Sequence, residues 1–243
     1  MYIFKLDATD STNSYLRQMS KNKDLEKWTV VTADYQSQGR GQKGAIWQSE
    51  RGKNLICSIL IKLNDFHAED QFMLNCAVSL GIHHYLKRYN LPKLKIKWPN
   101  DIMSVSKKLG GILIENTLVS NKINQSIIGI GININQEIFS TDLPMAVSIK
   151  QLTKNEIPRD VFLTDLLNAI QNKFELLFEK RFDELWSQYE ASLYRKDKAH
   201  MFENSNGEQY MGIIRGVSKQ GSLLIEREDE SIDAYNFKEV RYL

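Results

Sequence analysis

The chain has 243 residues, a formal net charge of +2, 42% apolar and 26% charged residues and four prolines, which excludes a disordered or fibrous protein and leaves room for one large domain, or a large one with a small one. So small a net charge excludes a molecule-wide footprint for nucleic acid, so any basic patch is local. The two cysteines, Cys57 and Cys76, exclude a disulfide framework and lack metal-ligand spacing, and no apolar run is long enough for a signal or a bilayer span, so no membrane partner is expected and the expected compartment is cytoplasmic.

Residues 2–6 alternate as a short strand, and Ser11, Thr12 and Asn13 ahead of Tyr15 read as a helix start. Their hydroxyl and amide groups have two open roles, capping that helix or holding a small polar ligand near its N-terminus. A strand over 28–33 then leads into the loop 34–47, where Gly39, Gly41 and Gly44 free the backbone for close approach and Arg40 and Lys43 supply cationic donors. The loop is a plausible anion cradle, although it does not match the P-loop pattern and by itself reads as an exposed glycine-rich turn.

The stretch 54–63 is apolar on both faces and is expected at the centre of a covered sheet. A helix is expected over 68–88, with His83 and His84 near its end in a solvated or dipole-complementing role. Residues 93–101 read as a strand stopped by Pro99, with Asn100 and Asp101 at its polar tip, where functional loops concentrate, and 103–106 as a turn. Next come a strand over 107–115, opening on Lys107, Lys108, Gly110 and Gly111, and its partner over 126–135. Gly129 and Gly131 strip one face of that partner, and a planar ring or ureido-like group would fit the space. From Pro158 two helices are expected, broken near 180–183, then a charged linker over 194–200 and a small barrel-like unit of short strands.

Four motifs, Gly39-Arg-Gly-Gln-Lys-Gly-Ala-Ile-Trp47, Lys97-Trp-Pro-Asn-Asp101, Lys108-Leu-Gly-Gly-Ile-Leu-Ile-Glu115 and Gly129-Ile-Gly-Ile-Asn133, resemble the biotin protein ligases in order and approximate spacing. Asp10 to Asn13 and Arg215 to Gly221 extend the resemblance over nearly the whole chain. It implies an α/β (α+β) fold, a mixed β-sheet backed by helices as in class II aminoacyl-tRNA synthetases, over 1–195, and a small SH3-like β-barrel over 196–243. It also implies an enzyme that condenses biotin with ATP, carried with Mg²⁺, to biotinyl-5′-AMP, then passes biotin to a lysine of a biotin carboxyl carrier domain. A homodimer is compatible with the same reading.

By that resemblance Arg40 and Lys108 offset the repulsion between two anions, and Asp101 orients or deprotonates the acceptor amine, with a plain turn-capping role still open. Biotin would meet Ser11, Thr12, Asn13, Gln36, Gly39, Arg40, Gly41, Gln42, Lys108, Gly111 and Gly129, and the adenylate Arg40, Lys43, Lys108, Gly131 and Asn133. No metal ligand comes from the protein, and Trp47 and Trp98 are taken as core or loop anchors. The family loop carries two further arginines where this chain has Gln42 and Ala45, so weaker retention of biotinyl-AMP is expected. With no helix-turn-helix ahead of the catalytic motifs, no sequence-specific DNA partner is expected. The competing readings are a lipoate ligase and a non-catalytic binding module, the latter disfavoured by the acidic run 226–230.

Overall fold

The structure, a computed structural model, describes all 243 residues apart from the side chain of Lys43. The apolar run at 54–63 forms β3 (Leu55–His67), whose residues from Leu55 to Ile61 are all buried, as two-sided apolar character requires. The strands around it are β1 (Tyr2–Thr9), β2 (Thr29–Gln36), β4 (Leu94–Lys97), β5 (Asp101–Ser104), β6 (Lys107–Val119) and β7 (Lys122–Ile132). Among the described residues they form a seven-stranded sheet in the order β1-β2-β3-β7-β6-β5-β4. Only the β1–β2 pair is parallel, so the sheet is mixed.

One face carries α1 (Thr12–Asn22), whose Leu16 packs with Val31, Leu60 and Ile127. The other carries α2 (Gln71–Leu86), α4 (Arg159–Phe178) and α5 (Phe182–Ala191), while α3 (Ile149–Thr153) is a single capped turn after β7. Because α1 is short, about 16 Å at 1.5 Å per residue, it covers only the β2–β3–β7 part of its face. The uncovered remainder is where the cleft lies.

Two expectations change here. Residues 93–106 are a hairpin rather than a strand followed by a turn: β4 pairs antiparallel with β5, because Pro99 ends the first strand but the chain reverses within three residues and resumes pairing. The charged stretch 194–200 is only in part a connection, since β8 (Ala199–Asn204) begins inside it and pairs with β9 (Gln209–Val217). With β10 (Leu223–Arg227), β11 (Ile232–Tyr235) and β12 (Val240–Tyr242) these form a second, antiparallel sheet of order β11-β10-β9-β8-β12, with β11 and β12 as its outer strands. Trp98 Nε1 donates to Gly221 O at 2.9 Å and Val217 N donates to Glu190 Oε1 at 3.2 Å, joining this sheet to the larger unit. Among the described residues no helix is long and apolar enough to cross a membrane.

Candidate active site

Cross-strand partners point to the same face of a sheet, so the register defines a floor. Ile56 pairs with Gly131, Gly131 with Gly111, Gly111 with Asp101, and Asp101 with Lys97, a row across five strands. Two residues along, Ser58 pairs with Gly129 and Gly129 with Leu113. Above these rows lies a cleft of about 530 Å³, walled by the N-terminus of α1, the glycine-rich loop and residues 237–242 of the small sheet.

The open face of β7 is filled from within the protein. An added Cβ at Gly129 would come 2.5 Å from Asn13 Oδ1, and one at Gly131 would come 2.3 Å from Trp47 Cε2. At Gly131 the overlap is with a rigid indole ring, and at Gly129 it is with an amide that Ser58 and Glu115 hold in place by hydrogen bonds. The glycines thus seat an amide and an indole of this chain, and it is those groups that face the ligand space. Trp47, taken from the sequence as an anchor, lines the cleft, and its Nε1 is buried without a partner. Trp98 is the anchor expected, being 4% exposed and bonded to Gly221.

At the α1 end the three candidate side chains are not helix caps. Ser11 occupies the N-cap position but makes no side-chain capping bond. Thr12 donates from N and Oγ1 to Gln36 Oε1 at 2.7 and 3.0 Å, Ser58 donates to Asn13 Oδ1 at 2.6 Å, and Asn13 Nδ2 donates to Glu115 Oε2 at 2.8 Å. The same carboxylate pairs with Arg17 at 2.9 Å and Arg40 at 3.2 Å. In the middle of the cleft Lys108 Nζ pairs with Asp101 Oδ1 at 2.6 Å. Lys108 is positioned by its backbone, whose N–H donates to Met145 O and whose carbonyl accepts from Val147 N. Asn100 holds the β5 side by donating to Ile112 O at 2.6 Å.

Arg40, Lys108 and Asp101 therefore line one cavity with Ser11, Thr12, Asn13, Gln36, Gly41, Gln42, Gly111, Gly129 and Gly131. Two expected residues sit elsewhere. Gly39 is buried beneath the loop, where a Cβ would meet Trp47 O at 2.2 Å. Asn133 is 4% exposed, outside the lining, and its amide bonds Val147 O at 3.2 Å, so it fastens the segment after β7. The side chain of Lys43, expected at the adenylate, lies outside the described residues. Sequence reasoning passed over Ser58, Arg17, Glu115 and Lys97. A serine inside a strand buried on both faces was the available signal for the first, and a carboxylate closing the β6 motif for the third.

Lys97 lines the cleft on the same row as Asp101, and burial, reinforced by Arg195 and Lys108 and opposed by Asp101, pulls its ammonium pKa below the usual lysine value. Cys57, between Ile56 and Ser58 on β3, turns its side chain away from the floor into the core, is pushed by burial to about 12 and is no nucleophile.

A carboxylate-partnered arginine and lysine share one cleft with a hydroxyl and amide cluster, an arrangement with the chemistry to offset negative charge on bound groups. The chain belongs to the biotin/lipoate A/B protein ligase family, whose profile matches residues 6–133. In sequence it is 28% identical over 229 residues to the bifunctional ligase/repressor BirA of Escherichia coli, covering 92% of this chain and 68% of that one. It is 25% identical over 224 residues to the biotin--[acetyl-CoA-carboxylase] ligase of Paracoccus denitrificans, covering 90% and 92%. The biotin protein ligase of Aquifex aeolicus, solved with biotin and ATP, superposes with a TM-score of 0.82 at 26% identity, over 100% of this chain and 99% of that one.

Proposed function

We propose that the chain is an ATP-dependent biotin protein ligase. The observation that carries this reading is the placement of Arg40 and Lys108 in one cleft, each held by a carboxylate partner, Glu115 and Asp101. Biotin's ureido ring lies at the Ser11, Thr12, Asn13, Gln36 cluster, and its carboxylate reaches toward Lys108 beside Arg40. One carboxylate oxygen attacks the α-phosphorus of ATP, the bond from that phosphorus to the bridging oxygen breaks, and pyrophosphate leaves with the electron pair. Both reactants are anionic, so fixed cations at the junction offset their repulsion and the charge that develops in the transition state. Bound Mg²⁺ supplies further charge neutralisation on the phosphates.

In the second half-reaction the amine of a carrier-domain lysine attacks the acyl carbon and AMP departs. An ordinary lysine amine, with a pKa of about 10.4, must lose a proton first. Asp101, on the cleft row and paired with Lys108, orients that amine or takes its proton. We read 1–195 as the catalytic unit and 196–243 as an SH3-like unit forming the far wall, in a cytoplasmic protein where Cys57 and Cys76 stay as thiols.

The test is incubation with ATP, Mg²⁺, biotin and a biotin carboxyl carrier domain, followed by detection of attached biotin, with lipoate as the competing acid. Lys108→Ala should lower adenylate formation by roughly 10²- to 10³-fold, the scale for removing one oriented charge stabiliser, while leaving carrier binding intact. Full turnover by that variant, or preference for lipoate, would refute the reading.

A further inference from the structure

Two side chains that line the cleft, Asn13 and Gln36, end in amides. A half turn about the last bond exchanges the oxygen and nitrogen of such a group, so its neighbours decide whether it accepts or donates toward a ligand. For Gln36 the deciding neighbour is the Thr12 backbone N–H, which only donates and takes Oε1 at 2.7 Å, leaving the amide hydrogens of Gln36 for the cleft. For Asn13 it is Glu115.

Glu115 lies outside the cleft lining, behind Asn13, on the face of β6 that it shares with Gly111 and Leu113. Its Oε2 accepts from Asn13 Nδ2 at 2.8 Å. Ser58 Oγ, 2.6 Å from Asn13 Oδ1, belongs to a hydroxyl, which can serve either end of an amide, whereas a carboxylate only accepts. The Leu113 carbonyl favours the same orientation, but at 3.4 Å it is the longer contact. With both hydrogens of Nδ2 committed and one lone pair of Oδ1 taken by Ser58, Asn13 is left with a single lone pair to offer, on the oxygen that stands over Gly129. A carboxylate only 18% exposed is costly unless paired, and Arg17 and Arg40 stand against its two oxygens at 2.9 and 3.2 Å. A charge is thus maintained behind the site, at a point where an apolar side chain would leave the Asn13 amide free to turn.

The result is a pocket with its polarity set in advance, an acceptor from Asn13 and donors from Gln36. Resting on the ligase reading, in which the ring of the acid lies at this cluster, the matching group is a cyclic urea, which carries N–H donors beside a carbonyl acceptor. The dithiolane ring of lipoate carries neither. We propose that Glu115 is a positioning residue for recognition of the acid: through Asn13 it fixes an acceptor toward one ureido N–H, and so supplies part of the preference for biotin over lipoate. Arg17 and Arg40 act on recognition through Glu115 by holding that carboxylate in place.

The test uses the full chain and biotin-dependent exchange of labelled pyrophosphate into ATP. The probes are biotin and its two cyclic carbamate analogues, in each of which a ring oxygen replaces one ureido N–H. In wild type the analogue that lacks the N–H facing Asn13 should show a KM roughly tenfold or more above that of biotin, since two acceptors then meet. In Glu115→Leu the KM for biotin should rise by about tenfold, and the ratio of analogue to biotin should fall severalfold, because the amide can turn Nδ2 to the ring oxygen. A merely structural role would raise all three KM values together and leave the ratios alone. Unchanged ratios for both analogues, or an unchanged KM for biotin, would overturn the proposal. Asn13→Ala separates this route from one through Arg40: adding Glu115→Leu in that background should change the KM for biotin little, and a full further rise there would also overturn it. Glu115→Met, which keeps the length of the side chain, should show the same fall in ratio and serves if Glu115→Leu folds poorly. A wild-type chain without biotin-dependent exchange would overturn the ligase reading itself, a result distinct from unchanged ratios in an active enzyme.

Discussion

At the scale of single residues, the glycine-rich loop offers the sharpest contrast with its relatives' motif. By the motif resemblance, Gln42 and Ala45 stand where biotin ligases carry arginines, and both line the cleft. Gln42 opens the short 3₁₀ turn Gln42–Gly44, and Ala45 N donates back to Gln42 O at 3.1 Å, so position 42 faces the ligand space from a tied turn. A guanidinium there would add a charge-assisted bond to the phosphate of the intermediate, worth about 1.5–3 kcal/mol. Gln42→Arg is therefore expected to slow release of labelled biotinyl-AMP by roughly tenfold or more. Equal release rates for variant and wild type in a rapid-dilution assay would show that the missing arginine is not what governs retention. The same scale explains why Glu115 escaped notice: its role depends on Arg17, Arg40 and Asn13, which lie 75 to 102 residues away in sequence and meet it only after β6 is placed.

Elements show where sequence pattern suffices and where it fails. The centre of the sheet and the long helices were readable, because β3 is a continuous apolar run and α2 and α4 carry apolar residues at helical spacing over many turns. Of the β4–β5 hairpin the first strand was readable from its alternation but the second was not, since four residues after Pro99 leave too little pattern to detect, and β8 hid in a charged stretch because an outer sheet needs only one apolar face. The site was legible as motifs, but the occupants of the glycine-cleared space on β7 were not, because nothing local in Asn13 or Trp47 says which strand each will cover. His83, read as a solvated or dipole-complementing residue at the end of α2, is 6% exposed and bonded to Leu94 O at 3.2 Å. Burial, aided by Lys87, Lys95 and His84 and opposed by the Leu94 carbonyl, lowers its pKa from 6.5 to about 4. The folded form thus disfavours the proton that the unfolded chain accepts, so the contribution is intact above pH 6.5 and declines as pH falls toward 4. The loss approaches about 3 kcal/mol. Urea midpoints taken from pH 7 to 4 should fall less steeply in His83→Gln than in wild type, and parallel profiles would exclude His83 as the source.

For the whole molecule, the question is whether the small sheet is an attached module or part of one body. A single hydrophobic core runs from Val30 and Ile59 through Phe72, Trp98 and Tyr189 to Phe202, Ile214, Leu223 and Val240. At the seam the turn at Gly221 lies against Phe72, Phe72 meets Tyr189 edge-on at 5.4 Å, and Trp98 meets Phe237 at 6.5 Å while donating to Gly221 O. Trp98 thus joins the β4–Asp101 motif to the wall that carries Tyr242, and the two sheets share one set of buried contacts. A chain built this way should unfold in one cooperative step. Trp98→Phe keeps an aromatic ring but leaves the Gly221 carbonyl without its donor and a small void, costing about 1–3 kcal/mol. For a chain of this size that corresponds to a fall of roughly 2–10 °C in Tm. Differential scanning calorimetry should show one endotherm in both proteins, lower in the variant. Two resolved endotherms, or an unshifted one, would mean that the small sheet is held independently of Trp98 and that the far wall of the cleft is free to move apart from its floor.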